Sequence, residues 1–130
     1  MRIIGIVVAV VCVAFSACVS HQETIPAPMR SELIRLGRII TDETQGKEVR
    51  KVSLKRYCKI LTEAIETYGS NAISRSTIVE SLGLDDDSDK ITHVYSISNG
   101  DDSFCMLFID YNLRNASFVR RAVINAEARM

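Results

Sequence analysis

The sequence has no tryptophan, only two histidines and two prolines, and no block of basic residues. Lys+Arg and Asp+Glu balance at 16 each, for a formal net charge of zero. A protein that grips nucleic acid needs a basic patch or stripe, so that class of partner is not expected. The one long apolar run, Ile3 to Phe15, falls short of the roughly 20 residues that cross a hydrocarbon core. That length counts against a transmembrane anchor. No internal repeat is visible.

Catalytic patterns are equally scarce. His21 lies in a polar stretch and His93 in a strand-like one, and neither has a carboxylate–nucleophile pattern beside it. A histidine on a half-buried strand is ordinarily a structural residue; a pH sensor is the sharper alternative. Asp85, Asp87 and Asp89 alternate like the first ligands of a calcium loop, but Lys90 and Ser96 stand where that loop needs glycine and glutamate. The run therefore reads as a solvated turn. No second Cys or His sits at zinc-ligand spacing. The expectation is no catalytic residue, metal, cofactor or small-molecule substrate, so not an enzyme.

What is present begins with MRIIGIVVAVVCVAFSACVS. A charge at Arg2, the apolar run and then small residues form the three regions of an export leader. Ordinary signal peptidase could cut after Ala14-Phe15-Ser16 or Cys18-Val19-Ser20. Phe15-Ser16-Ala17-Cys18 resembles a lipobox, with Phe15 where leucine is usual, and makes Cys18 an acylated mature N-terminus. Val19, rather than aspartate, beside that cysteine resembles lipoproteins sorted to the outer membrane. The stretch after it is polar, holds Pro26 and Pro28, and reads as an extended tether. The expected organisation is a leader over 1–17, a lipid-anchored tether over 18–28 and one small domain over 29–130. About 110 residues remain after the leader, enough for a single core.

Export bears on the other cysteines. Cys12 leaves with the leader, which leaves Cys58 and Cys105 as one pair in an oxidising compartment. A bridge between them would close a long loop and stabilise by about 3–4 kcal/mol. Two buried free thiols are the alternative.

Helical spacing of Met29, Leu33, Leu36 and Ile40 predicts a first helix, with Gly37 near its apolar face for close packing. Val49, Leu54, Cys58, Leu61, Ile65 and Tyr68 predict a second, ended by Gly69 as an αL cap. Arg50, Lys51, Lys55, Arg56 and Lys59 fall on its solvated side; a docking face is the other reading. Ser74 caps a short helix to Leu82, closed by Gly83, with Ile78 and Leu82 on one face. The period then changes. ITHVYSIS and SFCMLFID read as strands joined at Asn99-Gly100, a strong hairpin signal, and SFVRRAVIN as a third. SFCMLFID is apolar on both faces and so belongs at the centre of its sheet. Asn115-Ala116-Ser117 matches a glycosylation sequon, which carries no weight behind a bacterial-type leader. The fold class is α+β: two to three N-terminal helices packed on a three-stranded antiparallel β-meander.

The stretch AISRSTIVESLG, residues 72–83, resembles the signature of the SmpA/OmlA (BamE-like) family of small outer-membrane lipoproteins. Ile73, Ser74, Ile78 and Leu82-Gly83 occupy its positions, and His93-Val94-Tyr95 stands where the family has W-x-Y. Ala72 replaces a glycine and His93 the tryptophan. The resemblance implies that Ile78 and Leu82 point into the sheet near Val94, Leu107 or Phe108. It also implies an envelope protein partner, such as the barrel-assembly machinery, or an envelope-stress role. The functional expectation is a palmitate-bearing lipoprotein of the bacterial envelope, on the periplasmic side of the outer membrane, acting as a protein-binding or scaffold module. The alternative is a periplasmic inhibitor or immunity protein that blocks a hydrolase.

Overall fold

The computed structural model describes residues 23–84, 91–113 and 117–129. The fold is α+β: three helices, then a three-stranded antiparallel sheet in the order β1-β2-β3.

Helix α1 (Ala27–Thr41) begins where Pro26 leaves the backbone extended, and Pro28 occupies the first turn, where a missing N–H costs nothing. Leu33, Leu36, Gly37 and Ile40 form its buried stripe. The helix stops at Asp42, whose Oδ1 accepts from the Thr44 amide (3.0 Å) and hydroxyl (2.6 Å), a local bond that competes with helix continuation.

Helix α2 (Lys47–Tyr68) packs against α1 and against all three strands, most closely β3. Two covered sides explain why its buried arc is wider than the sequence stripe: Tyr57, Ile60 and Ala64 join Leu54, Cys58 and Leu61. At its ends Val49 and Tyr68 are exposed instead. Gly69 terminates it with φ 88° and ψ −162°, which needs glycine but is not the expected αL cap.

Helix α3 (Arg75–Leu82) carries the expected cap, the Ser74 hydroxyl accepting from the Thr77 amide at 3.3 Å. Gly83 closes it in αL (φ 60°, ψ 36°). Ile78 and Leu82 are buried as expected, at 0% and 2% exposure, yet α3 packs mainly on α1 rather than on the sheet. Of their expected neighbours, Val94 and Phe108 lie on the opposite sheet face.

That face follows from register. Tyr95, Leu107 and Ile124 align across β1 (Thr92–Ser98), β2 (Ser103–Tyr111) and β3 (Val119–Arg129), as do Val94, Phe108 and Val123. Along β2 burial alternates strictly, with Cys105, Leu107 and Ile109 beneath the helices and Phe104, Met106 and Phe108 half-buried opposite. So β2 is central, as its two apolar faces imply. The β1–β2 turn holds Gly100 at φ 89°. The third strand starts later than expected because Phe118 bridges to Ser74, with the Arg75 amide donating to the Ser117 carbonyl at 2.7 Å.

The expected tether over 18–28 is corrected where the structure describes it. Ala27 and Pro28 are helical, and Thr24 and Ile25 donate amide bonds to the Asn71 and Ala72 carbonyls at 3.0 and 3.2 Å. Ile25 is buried in the core. The chain is thus fixed to the domain from Glu23 onward.

Candidate functional site

The leader over 1–17 and Cys18 lie outside the described residues, as do Asp85, Asp87, Asp89 and the Asn115-Ala116 pair. Among the described residues no helix is long and apolar enough to cross a membrane, and no group of His, Cys, Asp and Glu could hold a metal.

Cys58 on α2 and Cys105 on β2 are buried free thiols. The expected bridge is therefore not formed, and the alternative describes them. Each sits in the shared hydrophobic core. Burial pushes the Cys58 thiol up, opposed by the Thr62 hydroxyl. Burial likewise raises Cys105, opposed by the charges of Lys55 and Lys51. A thiol kept neutral is a poor nucleophile and behaves as a small apolar side chain.

His93 lies on β1. It is buried, with Nδ1 2.7 Å from the Tyr111 hydroxyl and the two rings edge to face at 5.3 Å. Arg75, also buried, lays its guanidinium 4.6 Å from the centroid of the Tyr111 ring. This trio joins β1, β2 and the start of α3. Nothing in the spacing of Arg75, His93 and Tyr111 announces it; only the strand register and the bridge from Ser74 to Phe118 bring the three together.

A second polar cluster joins the chain start to α3. The Glu23 carboxylate accepts from the Ser74 amide (2.9 Å), the Ser74 hydroxyl (3.1 Å) and the Thr77 hydroxyl (2.7 Å). Arg30 pairs with it at 3.0 Å and reaches Glu80 at 2.9 Å. A carboxylate at a helix N-terminus meets open amides and the positive end of the helix dipole. Glu23 therefore acts as a second cap on α3, supplied from 51 residues away.

The basic residues of α2 divide. Lys55, Arg56 and Lys59 are solvated as expected. Arg50 instead caps α1, its Nε donating to the Ile40 carbonyl at 2.7 Å. Lys51 is half-buried and donates to Asn99 Oδ1 at 2.9 Å, with Glu48 at 2.7 Å. It lines a groove of about 410 Å³ with Lys55, Asp101, Cys105 and Glu127. Charges of both signs face that space, so it offers neither a phosphate nor a cation a concentrated field.

The remaining candidate is the sheet face away from the helices. Val94 and Val123, each 45% exposed, flank half-buried Phe108, and half-buried Met106 and Phe104 follow it along β2. The Asp110–Arg121 ion pair (2.9 Å) borders them at one end, Ser96 and Asn125 stand on either side of Met106, and Ser98 stands beside Phe104. An apolar centre with a polar border is the composition of a protein-binding surface. Among the described residues no element packs on it. Comparison with family models, curated proteins and solved structures returned no match to the chain.

Proposed function

We propose that this protein is a lipid-anchored envelope lipoprotein without catalytic activity, whose domain binds another envelope protein through the open face of its sheet. The observation that carries the binding role is the apolar patch on that face, Val94, Phe108 and Val123 side by side across the three strands and Met106 and Phe104 following along β2. The lipobox-like Phe15-Ser16-Ala17-Cys18 supports acylation at Cys18, and Val19 supports sorting to the outer membrane. The LG helix supports kinship with the BamE-like lipoproteins only as a local likeness, since a capped two-turn helix closed by glycine suits any small α+β domain.

The test has two parts. Labelled palmitate should enter the wild-type chain and not Cys18→Ala, which should remain a precursor or a soluble form. A photo-crosslinking side chain at Val94 or Val123 should then capture an envelope protein, whereas one at Val52 on α2 should not. Absence of palmitate removes the anchor; equal capture at all three positions removes the sheet face as the binding surface. Capture of a hydrolase would move the reading to an inhibitor or immunity protein.

A further inference from the structure

Val49 and Val52, at the start of α2, stand beside the β1–β2 turn: Lys51 bonds Asn99, and Lys47 Nζ lies 3.6 Å from where a side chain at Gly100 would begin. The opposite end of the domain gathers three other exposed apolar side chains: Tyr68 (39%), Ile91 (51%) and Leu113 (72%). Hydrogen bonds to backbone carbonyls place them together. The Tyr111 amide donates to the Ile91 carbonyl at 2.8 Å, and Asn112 Nδ2 to the Ser70 carbonyl at 3.5 Å. The Thr24 hydroxyl reaches the Tyr68 and Asn71 carbonyls at 3.5 and 3.4 Å.

The chain enters at this same end. Glu23 is held by Ser74, Thr77 and Arg30, so the point of entry is fixed to this end of the domain. Cys18 is five positions earlier. At no more than about 3.6 Å per residue, its backbone lies within roughly 18 Å of Glu23. An acyl chain on Cys18 would therefore hold this end of the domain at the bilayer surface. A helix rises about 1.5 Å per residue, so Val52 lies roughly 24 Å along α2 from Tyr68.

We infer that the end carrying Tyr68, Ile91 and Leu113 is a membrane-docking surface that seats on lipid headgroups. Tyrosine with aliphatic neighbours suits the boundary between headgroup and acyl chain, because each presents an apolar body and tyrosine keeps a polar tip. Exposed Glu66 in the last turn of α2 adds a negative charge near this end, so zwitterionic lipid is the surface tested. The domain then stands with α2 directed away from the membrane and its open sheet face turned sideways, toward a partner in or close to the same bilayer. This inference rests on acylation of Cys18.

The experiment uses the full chain, processed in its bacterial host and reconstituted in vesicles of phosphatidylethanolamine and phosphatidylcholine. An environment-sensitive fluorophore is attached at Leu113→Cys or, in a second protein, at Val52→Cys; buried Cys58 and Cys105 leave the new thiol as the reactive one among the described residues. The label at 113 should emit to the blue of the label at 52 and be reduced by dithionite severalfold more slowly. Adding Tyr68→Ser and Ile91→Ser should erase much of that difference. Palmitate incorporation is read on the same samples. If palmitate is present but both labels are equally accessible, docking is overturned and the anchor stands. If palmitate is absent, both fall. Shielding at 113 only when envelope proteins are added back overturns lipid as the occupant and assigns the surface to a protein.

Discussion

Gly37 of α1 lies directly against the backbone of Ser81 in α3, so close that a Cβ at position 37 would come within 2.6 Å of the Ser81 carbonyl carbon. Backbone cannot swing aside as a side-chain end can. Beside it the Tyr57 hydroxyl meets the Ser81 hydroxyl at 2.5 Å, tying α2 to the same point. This contact lets α3 settle on α1, and it explains why Ile78 and Leu82 bury there rather than against the sheet.

Gly37→Ala should therefore destabilise the domain by about 1–3 kcal/mol or more, the range for overpacking a closed contact. Gly46, at the N-cap of α2, has nothing within 4 Å of its missing side chain and a negative φ of −62°. Gly46→Ala should stay within about 0.5 kcal/mol, as expected away from packed sites. Urea unfolding of the domain begun at Ser20 compares them, and equal effects would refute the close approach.

Leu82→Ala should cost about 2–5 kcal/mol, because the leucine is 2% exposed and shares the core with Leu33, Leu36 and Ile78. Gly83→Val tests a different cause. No atom would obstruct the new side chain, but φ is 60°, where a β-branched residue is strained. Its cost should be about 1–3 kcal/mol and should shrink for Gly83→Asn, which tolerates αL. If valine and asparagine behave alike in thermal unfolding, backbone strain is not the reason for glycine there.

These local devices were legible in the sequence because each is set by a few adjacent residues. The Ser74 cap, Gly83 and the change from helical to strand period all predict what forms. The segment from Glu23 to Pro28 departs from its tether reading for the complementary reason. Two prolines and no apolar period describe a tether, and the partners that bind it, Asn71, Ala72, Ser74 and Thr77, are distant in sequence. The Arg75–Tyr111–His93 cluster is hidden likewise. Cysteine arithmetic erred because it counts partners and assumes a compartment, whereas a bridge also requires two sulfurs brought into bonding geometry.

The two thiols predict an alkaline limit to stability. Burial raises both above the ordinary value of 9.0, so the unfolded chain loses these protons first as pH rises. The native state then binds more protons, and stability falls as pH climbs through 9.0; below about pH 8 it is unaffected. Tyr57, raised by burial against the opposing Ser81 bond, extends the decline above its ordinary value of 10.0. Denaturation midpoints across this range should fall, and a Cys58→Ala/Cys105→Ala protein should lose the part near pH 9. In native protein at neutral pH both thiols should resist alkylation, then react fully in denaturant without reductant. Thiols that stay blocked until reductant is added would restore the bridge.

Glu23 offers the sharpest contrast between a tether and a fixed strap. Its carboxylate accepts from one amide and two hydroxyls at the start of α3 and pairs with Arg30. Removing it leaves the partly buried Ser74 amide and Thr77 hydroxyl without that acceptor, which costs about 1–3 kcal/mol for groups shielded from water. Glu23→Gln keeps an acceptor oxygen and should lose less than Glu23→Ala. Ser74→Ala alone removes the local cap and should cost about 1 kcal/mol. Because both side chains serve the same helix end, the double variant should deviate from additivity by about 0.5 kcal/mol or more, as for groups in one network. Ile25→Ala should weaken the strap independently by emptying a core position beside Ala72. A free tether predicts that Glu23→Ala, Ile25→Ala and truncation to Pro26 all leave urea stability unchanged. A fixed strap predicts a loss for each, with the truncation largest because it also removes the two backbone bonds to Asn71 and Ala72.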